Sequence, residues 1–279
     1  MRACLRLIRA NMHLTPDLLG PGDAKSAALD PAQFEWTRIR SVDDPLFPVA
    51  YGALWAEFGA ANEMETRAVL AGRFALGPAM RYEMVLARKD GAVAAVRDHT
   101  AILVDGEVVV HLSHNLVMPE WRRSGLAGWM RAVPLIAARE VAAANGRADA
   151  RITLVAEMEY DDGGDPKRAV RLAAYGRAGF LAIDPGMLDY HQPDFREPAV
   201  IDATGGPAPL RFQLLIRQVG HESETTVSGA RVRRFVSALH ALYGALFRHG
   251  DMAHPLLSPD RLPGDDACVP LLGLATGIS

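Results

Sequence analysis

The 279-residue sequence predicts an α+β fold, a mixed sheet with flanking helices, from three observations. Three strand-like stretches follow one another through Asp90-Gly91 and Asp105-Gly106, dipeptides that favour the positive φ angles of tight hairpin turns. A long apolar pattern at helical spacing comes next: Leu126, Met130, Val133, Ile136, Ala137 and Val141. The short apolar run from Ile152 to Glu157 then forms a strand parallel to its predecessor, because a helix separates the two. An antiparallel meander that passes into a parallel strand makes a mixed, mostly antiparallel sheet.

Taken in order, residues 1–33 hold one weak helical pattern and then a Pro/Gly/Asp/Ala segment, read as an extended arm without chemistry of its own. Phe34 to Arg40 alternates as a first strand. Asp43-Asp44-Pro45 starts a helix with apolar positions Leu46, Val49, Leu54, Trp55 and Phe58. A second helix is expected from about Met64 to Leu76. Glu63 and Glu65, beside and within it, are assigned to solvated faces. The meander spans Tyr82 to Arg88, Ala92 to Val104 and Glu107 to Met118. The helix from about Gly125 to Ala144 stops at Asn145-Gly146.

Asp161 to Pro166 reads as a polar connection into a helix over Lys167 to Ala178. It lacks the alternation and closing Glu of a calcium loop, so no metal is expected. Met187 to Pro193 and Leu210 to Val219 are further strand candidates. Ala230 to Arg248 carries one long apolar stripe that must dock, on its own domain or on a second copy, and so raises a homodimer. From Asp251, with four prolines, an irregular tail is expected.

Composition limits the function classes. An apolar fraction of 49% and a charged fraction of 23% suit a globular protein. A net charge of −3 offers no global attraction for nucleic acid or an anionic membrane. Cys4 and Cys268 lie near opposite ends, without the spacing of a disulfide framework or zinc cluster. No signal-peptide pattern and no membrane-spanning run are present, so a cytoplasmic location is expected.

The chemistry centres on the stretch from His111 to Ala127. A strand, a short loop and a helix start bring free backbone N–H groups to the positive end of a helix dipole. Gly125 permits close approach, Ala127 keeps the first turn narrow, and Arg122 and Arg123 add charge suited to phosphate oxygens. The pattern is expected to be an anion site with a diphosphate as its ligand, the alternative being a solvated helix start. A Walker-type loop and a Gly-x-Gly-x-x-Gly after a strand are both missing, which disfavours other nucleotide binders.

Arg122-x-x-Gly125-x-Ala127 resembles the Arg/Gln-x-x-Gly-x-Gly/Ala signature of the GNAT superfamily of N-acetyltransferases. About fifty residues on, Tyr175-Gly176-Arg177-Ala178-Gly179-Phe180 resembles that family's Tyr-x-x-x-Gly-Phe helix end. The resemblance covers roughly residues 34–219, giving an N-terminal arm (1–33), a GNAT domain (34–219), and a C-terminal helix and tail (220–279). It implies transfer of an acetyl group from acetyl-CoA, a co-substrate, to an amine by direct attack within a ternary complex. The acceptor is a small molecule or a peptide amine. The cofactor-holding residues implied are Leu116, Val117 and Met118 through their main chain, and Arg122, Arg123, Ser124, Gly125, Leu126 and Ala127. The resemblance also implies that two neighbouring parallel strands splay apart around the cofactor's pantetheine arm.

Tyr175 takes the position of the family's proton donor to sulfur, since a phenol with an ordinary pKa of ~10 is protonated at neutral pH. His111 is the candidate base, with Glu157 and Glu159 as rivals. Two-residue alternation places His111 with Ser113 and Asn115 on one side of the strand and His114 on the other. One departure stands out: Arg168 occupies a position where many family members carry Asn. A noncatalytic GNAT-like sensor or scaffold that binds CoA or a metabolite is the alternative.

Overall fold

The structure, a computed structural model, describes residues 12–61, 63–161 and 163–274. Cys4, Asn62, Asp162 and residues 275–279 lie outside the described residues, as does the start of the arm.

After a short helix α1 (Ala24–Ala27), strand β1 (Glu35–Ile39) leads into α2 (Phe47–Phe58) and α3 (Arg67–Phe74). Helix α2 begins two residues beyond Pro45, because the Asp44 carboxylate accepts from Leu46 N–H and holds a turn before Pro48 enters the first helical turn. Thr66 caps α3, which is shorter than the expected helix. The meander forms as read: β2 (Met80–Lys89), β3 (Ala92–Val104) and β4 (Glu107–Val117), with Asp90, Gly91, Asp105 and Gly106 all at positive φ.

The helix after the loop is two pieces, α4 (Leu126–Ala132) and α5 (Pro134–Ala144). Pro134 has no N–H for the carbonyl of Met130, and the fully buried Arg97 donates to that oxygen at 2.6 Å instead. Strand β5 (Ile152–Met158) and α6 (Pro166–Arg177) follow, the latter capped by Asp165. Then come β6 (Leu181–Ile183), β7 (His191–Gln192), α7 (Pro198–Ala203), β8 (Leu210–Arg211), β9 (Gln213–Gln218) and β10 (Thr226–Ser228). Of the expected strand at 187–193 only two residues pair. The chain ends with α8 (Gly229–Gly244), α9 (His249–Met252) and β11 (Cys268–Gly273).

Among the described residues the main sheet runs β1-β2-β3-β4-β5-β9-β6-β11-β10, with β4 and β5 parallel. The C-terminal segment is therefore not an irregular tail throughout, since β11 pairs with both β6 and β10. One sheet face carries α4, α5 and α6, where Val110, Leu112 and Leu154 meet Leu135, Ala138, Val141 and Leu172. The opposite face carries α2 and α3 at one end and α8 at the other. There Val109, Val155, Leu214 and Ile216 meet Val232, Phe235, Leu239 and Leu242. The apolar stripe of α8 is thus buried on its own sheet, each large side chain contributing about 2 kcal/mol.

Candidate active site

Two irregularities of β4 create the site. Its ladder with β5 holds only from Val108↔Ile152 to His111↔Val155; beyond that β4 stays with β3 while β5 stays with β9 as far as Met158↔Gln213. The parallel pair splays, as the resemblance implied. Just past the parting point, Ser113 and His114 together face Asp98 of β3, a bulge that resets the alternation. His114 consequently lies on the same sheet face as His111 and Ser113, packed on Phe58 of α2, and the expected opposition between them is overturned.

Under α8 a buried polar cluster forms around Glu157. His111 Nε2 donates to Oε2 at 2.9 Å and Gln192 to the same oxygen at 3.0 Å. Tyr243 also donates to Oε2 and Tyr190 to Oε1, each at 2.5 Å. Burial raises the Glu157 carboxyl, but bonds from His111, Tyr190 and Tyr243 and the His111 charge outweigh it and bring the pKa to about 2. Glu157 is therefore an ionised acceptor. Burial beside that anion keeps both tyrosines protonated, far above the ordinary phenol.

The other nitrogen of His111, Nδ1, lies 3.3 Å from Ser113 Oγ, which also accepts from Arg73 Nη1 at 3.3 Å. Arg73 is fully buried, ion-paired with Glu65, and lies against the rings of Tyr82 and Tyr243. Glu65 is thus an interior residue, only 1% exposed, and not part of a solvated face. A guanidinium buried in an apolar interior requires a carboxylate; α3 supplies Arg73, the loop before its Thr66 cap supplies Glu65, and β4 the hydroxyl beside them.

A second pair lies alongside. Asp98 accepts from His114 N–H, from its Nδ1 at 2.9 Å, and from Tyr82 O–H, while His114 Nε2 donates to the carbonyl of Glu63 at 2.7 Å. Burial lowers the His114 pKa, yet the charge and bond of Asp98 raise it to about 9. His114 is an imidazolium that fixes the α2–α3 loop; it is not a base. His99 points to the opposite face, toward Glu83. Glu159 is taken up by Arg171, and Arg168 donates to the carbonyl of Tyr160 at 3.0 Å.

In the loop from Arg122 to Ala127, Arg123 at φ 64° and Gly125 at φ 101° reverse the chain twice before α4. Ser124 Oγ accepts from Leu126 N–H, and the N–H groups of Arg123, Gly125 and Ala127 have no backbone partner among the described residues. Arg122 Nε donates to the carbonyl of Val117, which faces the open edge of β4; Met118 N–H is spent on Ala94. Arg122 and Arg123 are exposed.

The arm, expected to be extended, packs along α4 and α6. Ser26 Oγ donates to the carbonyl of Gly125, the buried Asp23 pairs with Arg131 at 2.6 Å, and Arg217 reaches the carbonyl of Leu19. A Cβ on Gly125 would lie 2.4 Å from the carbonyl oxygen of Lys25, and one on Gly128 2.0 Å from Ser26 Oγ. Gly125 therefore admits the arm's backbone, and Gly128 the Ser26 and Asp23 side chains.

Of the three candidate catalytic side chains, the fold joins His111 and Glu157 directly. Tyr175 stands apart, packed edge-on against Phe180 on the helix face that carries α5, with Arg131 over its ring. Tyr243, Arg73 and Ser113 were not foreseen as site residues. Tyr243 was hidden as one more member of an apolar stripe, although a tyrosine whose ring is buried needs a partner for its hydroxyl.

No family profile and no curated protein matches the chain. Solved structures do. A tandem GNAT protein from the clavulanic acid biosynthesis pathway is 23% identical over 57% of this chain and 46% of its own, with a TM-score of 0.36. Escherichia coli ElaA is 15% identical over 66% and 99%, with a TM-score of 0.38. Arabidopsis thaliana Naa50, solved with a bisubstrate analogue, is 10% identical over 67% and 99%, with a TM-score of 0.42. The chain thus spans less than half of the first of these. The chain itself has an α+β fold, a mixed sheet with flanking helices in which a meander, the Arg122–Ala127 loop and the second strand of a splayed parallel pair follow one another.

Proposed function

We propose that the protein is an acyl-CoA-dependent N-acyltransferase that moves an acetyl group from acetyl-CoA to an amine. The observation that carries this reading is the splay between β4 and β5, which opens between the Arg122–Ala127 loop and the His111–Glu157 pair. In this reading the loop amides and Arg123 hold the diphosphate, the open edge of β4 at Val117 accompanies the pantetheine arm, and the thioester lies at the gap. The amine attacks directly. Its proton passes to His111 Nδ1, the nitrogen not committed to Glu157, by way of Ser113 Oγ or water. Tyr175, on the other side of the gap, protonates the leaving thiolate. Glu157, ionised and held by four donors, orients His111 and is a poor base itself.

The test is calorimetric titration with acetyl-CoA, followed by turnover against a panel of small amines and peptide N-termini. Binding that Arg123→Glu weakens by about tenfold or more supports the loop assignment. Arg123 is preferred to Gly125 for this test because any side chain at Gly125 strikes the arm first. The second reading, a CoA-binding module without catalysis, is favoured by the close packing of the arm on Gly125 and Gly128. It predicts acetyl-CoA binding with no turnover of any amine.

A further inference from the structure

The relation of Ser113, His111 and Glu157 goes beyond proton removal from an amine. Ser113 Oγ is 3.3 Å from His111 Nδ1, and His111 Nε2 is 2.9 Å from Glu157. This is the order nucleophile, base and orienting carboxylate found in acyl-transferring triads, here with the two ring nitrogens exchanged. Because ionised Glu157 only accepts, Nε2 must carry the hydrogen between them. In the neutral ring Nδ1 is then left as the lone pair that faces the hydroxyl.

Arg73 Nη1, 3.3 Å from the same oxygen, supplies a positive charge that favours the alkoxide. Tyr190, Tyr243 and Gln192 complete the shell of Glu157 and fix its orientation. Ser113 is also well placed along the chain. It lies two residues past the last β4–β5 pairing, in the bulge, where the strands have separated, and it is partly exposed while His111 is buried.

We propose that Ser113 is an acyl acceptor in its own right: in the absence of an amine the protein hydrolyses acyl-CoA thioesters through an acyl-Ser113 ester. The proposal takes the acyl-CoA reading of the site as its starting point. Ser113 Oγ attacks the thioester carbonyl carbon while its proton moves to His111 Nδ1. The carbon–oxygen bond forms and the carbon–sulfur bond breaks. The thiolate leaves with the proton held by His111, or with one from Tyr175, in which case His111 passes its proton to solvent and Tyr175 regains one from it. Water then attacks the ester, giving its proton to His111 Nδ1, which returns it to Ser113 Oγ as the carboxylic acid departs. The sum is thioester plus water to acid plus thiol.

The experiment uses the full chain without amine. Release of CoA thiol is followed with a thiol-reactive dye, and acid-quenched samples are digested and weighed by mass spectrometry. Acetyl-CoA binding is measured in parallel, and p-nitrophenyl acetate serves as an acyl donor that needs no CoA loop. The expected result is one acetyl group on the peptide containing Ser113 and a steady release of thiol. Ser113→Ala should remove the adduct and lower release by about a hundredfold or more while binding acetyl-CoA as before. Ser113→Cys should trap a longer-lived acyl adduct.

Equal release or an equal adduct in Ser113→Ala overturns the proposal, as does the absence of both when binding is intact. If acetyl-CoA fails to bind but p-nitrophenyl acetate still labels Ser113, the acyl-CoA reading falls and the nucleophile stands. If neither donor labels Ser113, the proposal falls with it.

Discussion

His114 makes the protein's stability dependent on pH in a way that bears on the loop between α2 and α3. Its pKa rises from 6.5 to about 9 in the folded chain, chiefly against burial, through the charge and hydrogen bond of Asp98. A raised folded pKa stabilises fully below the unfolded value, and the contribution is lost as pH climbs through the folded one. Between pH 6.5 and about 9 stability should therefore fall by ~1.4 kcal/mol per pH unit, to a total of about 3 kcal/mol.

The neutral ring keeps one N–H, so it must release either Asp98 or the carbonyl of Glu63. Loss of the second frees the loop between α2 and α3. Urea unfolding at a series of pH values should show this alkaline decline, and NMR should place the His114 titration near pH 9. Asp98→Asn removes the charge, so His114 should titrate lower and the slope between pH 7 and 9 should flatten. A midpoint constant from pH 6.5 to 9.5 in the parent protein, or a His114 that titrates below 7, refutes the reasoning.

Three further outcomes follow from the same geometry. Asp23→Ala leaves Arg131 buried without its carboxylate and should cost about 3–5 kcal/mol, read by urea unfolding; a loss under 1 kcal/mol means the arm is not anchored there. Tyr243→Phe removes one of four donors to Glu157, so its carboxyl should rise from about 2 toward 4.5, read by carboxyl NMR titration; an unchanged carboxyl disconnects α8 from the site. Leu239→Ala opens a void between α8 and the sheet and should cost about 2–5 kcal/mol; a near-neutral result would mean α8 is not docked on the sheet.

Much of the fold was legible because its signals are local. Asp90-Gly91 and Asp105-Gly106 set two hairpins, and both pairs adopt the positive φ those dipeptides favour. Arg122 to Ala127 is contiguous, so its loop, its reversal at Gly125 and the helix after it need no distant partner. His111 and Glu157 were both named as candidates, though not as a pair, since nothing in the spacing of two strands tells which side chains meet across a gap.

The misses have physical causes as well. Strict alternation failed at Ser113-His114 because a one-residue bulge turns all later side chains over, and a bulge has no sequence signature of its own. Glu65 looked like a solvent-facing helix residue until α3 was seen to carry Arg73 into the interior beside it. Pro134 marks a break in its helix, but the buried arginine that satisfies the orphaned Met130 carbonyl sits on a different strand.

Local chemistry determined the turns, the helix and strand types, the Arg122–Ala127 loop and the amphipathic faces, because each depends on residues a few positions apart. Tertiary structure alone decided which face α8 covers, that Tyr243 completes a cluster begun on β4 and β5, and that the arm from Leu19 to Ser26 lies along α4 and α6. Those outcomes depend on burial and on pairing between residues up to about two hundred positions apart, where one charge or hydroxyl taken from water must find its partner in space.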